Sequence, residues 1–251
     1  MVDARAVLGR DPASTALFLD FDGTLSPIVA VAGDARPLAG AVEVLAALAE
    51  RFAVVAVVSG RPVAFLLAHL PGVVELHGLY GLEAVVDGAP FARAEAQEWR
   101  AVVDEVAQSA VVDGPPGLDV EHKGLSLTVH YRRQPELADA ALGWAAGAAQ
   151  RSGLALRRAK MSVELHPPVA VDKGTVVEAR AAGTSTVAYL GDDEGDLPAF
   201  AALDRLAARG ITTVKVAVRT VEASPALLAQ ADVEVAGPDG ALELLRSLLT
   251  T

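Results

Sequence analysis

The chain has no cysteine. Disulfides, thiolate metal centres and cysteine nucleophiles are therefore excluded, although the absence names no compartment. Uncharged apolar runs of membrane-spanning length are also missing. Residues 1–12 carry charges throughout and have no apolar core, so no secretory signal is expected there. HExxH does not occur and the five histidines are scattered, which argues against a zinc centre. Neither a Gly-rich Walker loop nor a dinucleotide fingerprint is present, so a nucleotide is not indicated. Basic charge is in short supply: 21 Lys and Arg against 32 Asp and Glu give a formal net charge of −11, unfavourable for binding a phosphate backbone. What remains is 251 residues, 52% of them apolar, enough for one large or two modest domains. The expectation is a soluble, cytoplasmic monomer that takes a small molecule and neither nucleic acid nor membrane.

Residues 16–19 form a continuous apolar run that ends in Asp20, with Asp22 just beyond and Gly23 at the turn. Such a run reads as a strand buried on both faces of a parallel sheet. Open α/β sheets hold their ligands beyond the carboxyl ends of their strands. Carboxylates so near a core are costly unless paired or bound to a cation, so the doublet asks for a metal; the blander reading is an acidic exit loop. The spacing predicts a helix over 38–51 and a second buried strand over 53–58. That strand stops at Ser59-Gly60-Arg61-Pro62, and Pro62 suits the first turn of a helix. Ser59 therefore either binds an anion at a helix N-terminus or merely caps the helix. A third strand is expected over 73–76, then a hairpin through Asp87-Gly88. His77 is read as structural.

The pattern changes at residue 95. A helix over 95–112, strands over 118–121 and 125–131, a helix over 135–151 and strands over 154–158 and 162–165 imply a small antiparallel sheet with helices on one side. This reads as an inserted α+β domain, dividing the chain into core 1–94, insertion 95–167 and core 168–251. The first pattern then resumes. Asp172-Lys173-Gly174 opens a helix, and a buried strand over 186–190 runs into Gly191-Asp192-Asp193-Glu194-Gly195-Asp196. A helix to 208, strands over 214–218 and 233–235, and helices over 225–230 and 241–249 complete an α/β pattern. If the strands ending at Asp20 and Asp192 are neighbours, Asp20, Asp22 and Asp192 converge. Several carboxylates in one place suit a hard cation such as Mg²⁺. A carboxylate can attack phosphorus, and a second one can protonate the leaving oxygen and then deprotonate water. The Ser59 hydroxyl and Lys173 ammonium are suited to the remaining phosphoryl oxygens.

Asp20-Phe21-Asp22-Gly23-Thr24, Ser59, Lys173 and Gly191-Asp192-Asp193 resemble the four ordered motifs of the haloacid dehalogenase superfamily, spaced as in members with a cap between the second and third motifs. A narrower resemblance covers about residues 16–200. It rests on Asp22-Gly23-Thr24-Leu25-Ser26-Pro27-Ile28, Ser59-Gly60-Arg61, Gly78-Leu79-Tyr80-Gly81-Leu82-Glu83, Glu121-His122-Lys123, His130-Tyr131-Arg132, Lys160 with Glu164, and Val171-Asp172-Lys173-Gly174. It is to the trehalose-6-phosphate phosphatases.

The resemblance implies a Rossmann-like parallel-sheet core with an inserted α+β cap, and hydrolysis of a sugar phosphate through an aspartyl-phosphate. It implies Asp20 as nucleophile, Asp22 as general acid and base, and Ser59 and Lys173 on the phosphoryl group, with Gly23, Thr24, Gly60 and Arg61 at the substrate. Mg²⁺ would rest on Asp20, the Asp22 main-chain carbonyl and Asp192. In the cap, Glu121, Lys123, Lys160 and Glu164 would grip glucose hydroxyls, with Arg132 near the site. Another capped sugar-phosphate phosphatase, a phosphosugar mutase and an inactive sugar-phosphate sensor stay open. One departure stands out. The family usually has Gly-Asp-Asp-x-Thr-Asp-Glu in its fourth motif, whereas this chain has Gly195 and Leu197. What fixes Asp196, and supports the metal from behind, is thereby in question.

Overall fold

In the computed structural model, which describes residues 2–70, 72, 74–159 and 161–250, the apolar run before Asp20 forms β1 (Thr15–Leu19), buried at every position. It is followed by β2 (Val54–Val58), β3 (Glu75–Gly78), β4 (Glu83–Val86), β5 (Ala89–Ala92), β6 (Asp119–His122), β7 (Leu127–His130), β8 (Ala155–Ala159), β9 (Ser162–His166), β10 (Thr186–Gly191), β11 (Thr212–Arg219) and β12 (Val233–Ala236). By contact the chain divides into two compact units: residues up to Phe91 together with those from Val171 on, and Ala92–Ala170.

The first unit holds an eight-stranded sheet in the order β12-β11-β10-β1-β2-β3-β4-β5. From β12 to β3 neighbouring strands are parallel, and β4 runs antiparallel to β3. Successive side chains of a strand point to opposite faces, and each face here has its own apolar layer. Leu17, Leu19, Val55 and Val57 pack with helices Ala41–Ala49 and Gly237–Ser247. Phe18, Ala56 and Tyr189 pack with helices Lys173–Arg180 and Leu197–Ala207. That two-sided cover is why β1, β2 and β10 read as continuous apolar runs. Between β4 and β5, Asp87 and Gly88 take φ of +50° and +74°, the left-handed pair that a two-residue hairpin turn requires.

The second unit is a four-stranded antiparallel sheet in the order β6-β7-β9-β8. Helices Arg100–Asp113 and Ala138–Ser152 cover one face, where Val103, Val106, Ala141 and Ala145 meet Leu127, Val129, Val163 and Leu165. The helix expected over 95–112 is two helices, Ala94–Gln97 and Arg100–Asp113, because the chain breaks at Glu98 and Trp99. The strand expected over 73–76 is Glu75–Gly78, with Val73 outside the described residues. Its register is set by pairing with β2, Val57 opposite Leu76 and Val58 opposite His77, which an apolar run alone does not encode. No helix among the described residues is long and apolar enough to cross a membrane.

Candidate active site

Three strand ends lie side by side. Leu19 of β1 stands opposite Leu190 of β10 and Val57 of β2. Asp20, Asp192 and Ser59, each the first residue after its strand, therefore leave the sheet at one end. Asp20 stays in register, its N–H donating to the Leu190 carbonyl at 2.9 Å. Lys173 is the first residue of helix Lys173–Arg180, whose start is fixed by a reciprocal cap. There Asp172 Oδ1 accepts from the Thr175 N–H at 2.8 Å, and Thr175 Oγ1 from the Asp172 N–H at 3.0 Å. Gly23 has φ +78°, and a Cβ there would collide with the Asp192 carboxylate, so only glycine fits. Thr24 is fully buried, and its hydroxyl has no hydrogen-bond partner in this structure.

Lys173 is 2% exposed and joins two acids. Its Nζ lies 2.8 Å from Asp20 Oδ1 and 2.7 Å from Asp196 Oδ1. Burial pulls the ammonium's pKa down, but the Asp196 and Asp20 carboxylates overcome that and hold it well above the usual lysine value. Asp20 is pushed the other way. Burial raises its carboxyl well above the ordinary 3.8, Lys173 works against the rise, and Asp196, Asp193 and Asp192 add to it. Oxygens of Asp20, Asp192, Asp193 and Asp196 lie within 4.8 Å of one another. Crowded carboxylates at a buried site, all oxygen donors, fit a hard divalent cation, which would remove the repulsion that raises Asp20.

Asp196 itself is saturated. Its Oδ1 accepts from Lys173 and from the Tyr189 hydroxyl at 2.6 Å. Its Oδ2 accepts from the main-chain N–H groups of Asp192 at 2.9 Å and Asp193 at 3.1 Å. It is thus held from four directions without the family's usual threonine. The glycine standing in that threonine's place lies beside the Tyr80 ring. A Cβ on Gly60 would stand 2.9 Å from the Tyr80 ring and one on Gly195 3.5 Å from it. The ring sits between the two, its centroid 5.8 Å from the Lys173 ammonium.

Asp22 and Arg61 form a fork. Arg61 Nε donates to Asp22 Oδ2 and Nη2 to Oδ1, each at 2.7 Å. The guanidinium is itself fixed by the Ala32 carbonyl at 2.7 Å and lies over the Phe65 ring at 4.6 Å. Arg61, expected at the substrate, therefore stands in this structure on the Asp22 carboxylate. Ser59 Oγ accepts from the Arg61 N–H at 3.1 Å. Ser59 is 1% exposed, and its own N–H donates to the His77 carbonyl at 2.9 Å. The His77 ring lies 3.3 Å from Glu75.

In the second unit, Lys123 Nζ is 3.9 Å from Glu121 Oε2 and 4.0 Å from Glu164 Oε1. His130 Nε2 is 2.8 Å from Glu121 Oε2. Ser126 donates to Glu164 Oε1 at 2.7 Å, and Arg157 to Oε2 at 3.3 Å. Arg132 lies just past β7, half-buried. Lys160 lies outside the described residues. Sequence reasoning passed over Tyr189, Ser126 and Arg157. A tyrosine inside the apolar run 186–190 was the one available signal, since a buried phenol needs a partner.

The family model described as trehalose-phosphatase matches residues 18–234. The trehalose-phosphate phosphatase of Mycobacterium ulcerans is 37% identical over 221 residues, 80% of this chain and 55% of that protein. The chain spans about half the length of the curated relatives it matches. The C-terminal domain of a Candida albicans trehalose-6-phosphate phosphatase superposes with a TM-score of 0.79 at 22% identity, covering 98% of this chain and 97% of that one. A haloacid dehalogenase-like hydrolase from Bacteroides thetaiotaomicron superposes at 0.62 with 16% identity, covering 92% and 98%. Those likenesses speak for the fold, a haloacid dehalogenase core with an inserted α+β cap. With the sequence match running through both parts of the core and the segment between them, the chain belongs to the trehalose-phosphatase family.

Proposed function

We propose that the chain hydrolyses trehalose 6-phosphate to trehalose and inorganic phosphate through an aspartyl-phosphate on Asp20, with Mg²⁺ as cofactor. The observation that carries this reading is a buried carboxylate at a sheet's C-terminal edge, held 2.8 Å from a buried ammonium, in a chain of this family. Asp20 Oδ1 accepts from Lys173 and, at 2.7 Å, from the Phe21 N–H, so the attacking lone pair falls to Oδ2. Oδ2 forms the bond to phosphorus as the bond to the sugar oxygen breaks. Asp22 gives that oxygen its proton and then takes one from the water that attacks the phosphoenzyme. The Asp20–phosphorus bond breaks in this second step and the carboxylate is restored. Ser59 and Lys173 hold the equatorial oxygens, where charge accumulates, with Gly23, Thr24 and Gly60 as the wall. Mg²⁺ would be held by Asp20, Asp192 and the Asp22 main-chain carbonyl, and when bound supplies charge neutralisation. Phosphate release from trehalose 6-phosphate in Mg²⁺ is expected, silence in excess EDTA, and recovery when Mg²⁺ is returned. Full activity in a chelated sample, or isomerised sugar phosphate in place of free phosphate, would overturn the assignment.

Glu121, Lys123, Lys160, Glu164 and Arg132 are proposed to read the sugar. Carboxylates accept and ammonium groups donate, which suits a ligand made of hydroxyls. Losing one such contact leaves a polar partner unpaired, a cost of roughly 1–3 kcal/mol, or about a 5- to 150-fold fall in kcat/KM. Glu121→Ala, Lys123→Ala and Glu164→Ala should each show that loss on trehalose 6-phosphate. A much smaller loss is expected on p-nitrophenyl phosphate, which has no sugar. Equal losses on both substrates would show that these residues do not select the sugar.

A further inference from the structure

The polar face of the four-stranded sheet contains a hydroxyl that the fold leaves unused. Four residues stand in one row across it. Glu121 of β6 is opposite Thr128 of β7, Thr128 is opposite Glu164 of β9, and Glu164 is opposite Arg157 of β8. Leu127 and Val129, on either side of Thr128, point into the helix-covered core. Alternation therefore turns Thr128 to the other face, between the two glutamates. The charged members of the row are bonded: Glu121 to His130, and Glu164 to Ser126 and Arg157. Thr128 is 2% exposed, yet its Oγ1 has no hydrogen-bond partner in this structure. Buried polar atoms are nearly always bonded, and one that is not asks for a partner from outside the fold.

We propose that Thr128 is a specificity-determining residue, whose hydroxyl exchanges a hydrogen bond with a sugar hydroxyl seated on this row. The inference rests on the proposed reading of this face as the sugar-binding one. Its chemistry differs from that of the neighbours. A carboxylate only accepts and a guanidinium only donates, whereas a threonine hydroxyl does both. Directly opposed residues on one sheet face stand about 5 Å apart, so one sugar hydroxyl can donate to a glutamate and accept from Thr128 at once.

The test compares Thr128→Val and Thr128→Ser with the wild-type protein, using the full chain in Mg²⁺. Thr128→Val keeps the shape and removes the hydroxyl. It is expected to lower kcat/KM on trehalose 6-phosphate about three- to tenfold, as for one neutral hydrogen bond. The loss on p-nitrophenyl phosphate should be at least about threefold smaller, the melting temperature unchanged or higher, and Thr128→Ser should restore the rate. Unchanged kcat/KM on the sugar phosphate, equal losses on both substrates, or a melting temperature lowered by several degrees would each overturn the proposal. The two readings fail differently. If the wild type hydrolyses trehalose 6-phosphate and Thr128→Val matches it, only the role of Thr128 falls. If the wild type prefers another sugar phosphate, the trehalose assignment falls, and the same comparison on that substrate decides Thr128. If it hydrolyses no sugar phosphate, both fall.

Discussion

Asp20→Asn is expected to abolish phosphate release, by at least about a thousandfold, in a protein that still folds. The amide oxygen can keep the hydrogen bond from the Phe21 N–H, so the loop has no reason to move. The amide nitrogen is a poor nucleophile toward phosphorus, and it stands where the carboxylate offers its second oxygen. Stability should suffer less than from loss of the ammonium, because Lys173 keeps the Asp196 carboxylate at 2.7 Å and the amide oxygen can still accept from it. Burial disfavours the Asp20 charge, and asparagine occupies the same 5%-exposed position without one. Phosphate release and a thermal melt, measured on one preparation, separate the two effects. Near-normal release would remove Asp20 from the reaction.

Lys173→Met should damage both rate and fold. Removing one partner of a buried ion pair leaves an uncompensated charge, at a cost of about 3–5 kcal/mol. For a chain of this size that is a fall in Tm of roughly 6–20 °C. Here two carboxylates, Asp20 and Asp196, lose the same ammonium. The rate should fall about 100- to 1000-fold from loss of phosphoryl stabilisation alone. The stability loss should also depend on pH. Lys173 is the group that lowers the Asp20 pKa against burial, so without it that pKa climbs further above 3.8. A carboxyl whose folded pKa is raised is at ease protonated, and the stability it allows is lost as pH rises through that folded value. The variant should therefore sit closer to the wild type at acid pH than at neutral pH, in metal-free buffer. A Tm deficit that is the same at both would show that the ammonium's charge is not what holds the carboxylates.

The positions of Asp20 and Asp192 were legible because each follows an apolar run, and a parallel strand buried on both faces has no other way to be written. The inserted unit was legible from a change of period alone. What pairs across long separations was not. Arg61 and Asp22 meet because β1 and β2 are neighbours in register, and nothing in Ser59-Gly60-Arg61 distinguishes a guanidinium aimed at a ligand from one aimed at a carboxylate. The missing threonine leaves the anchoring of Asp196 unreadable in the sequence, because its partners come from Lys173, from a tyrosine inside β10 and from two main-chain N–H groups. The row Glu121, Thr128, Glu164, Arg157 spans four strands. Alternation gives the face of each residue, but only the pairing register lines them up.

Both sheets are open, so each ends in strands with unpaired main-chain groups on their outer sides. Such edges invite another chain to add itself, which is a route to aggregation. The outermost strands are short and awkward to extend. At the large sheet's ends, β5 carries Pro90, which has no N–H to offer, and β12 carries Glu234. At the small sheet's ends, β6 carries Asp119 and Glu121, and β8 carries Arg157 and Arg158. Glu121 and Arg157, members of the row proposed to seat a sugar, thus also place charge on the rim, where it opposes the addition of another strand. Neutralising β8 with Arg157→Val and Arg158→Val would create a run of apolar residues from Ala155 to Ala159 on an open edge, and with it a seed for stacking chains.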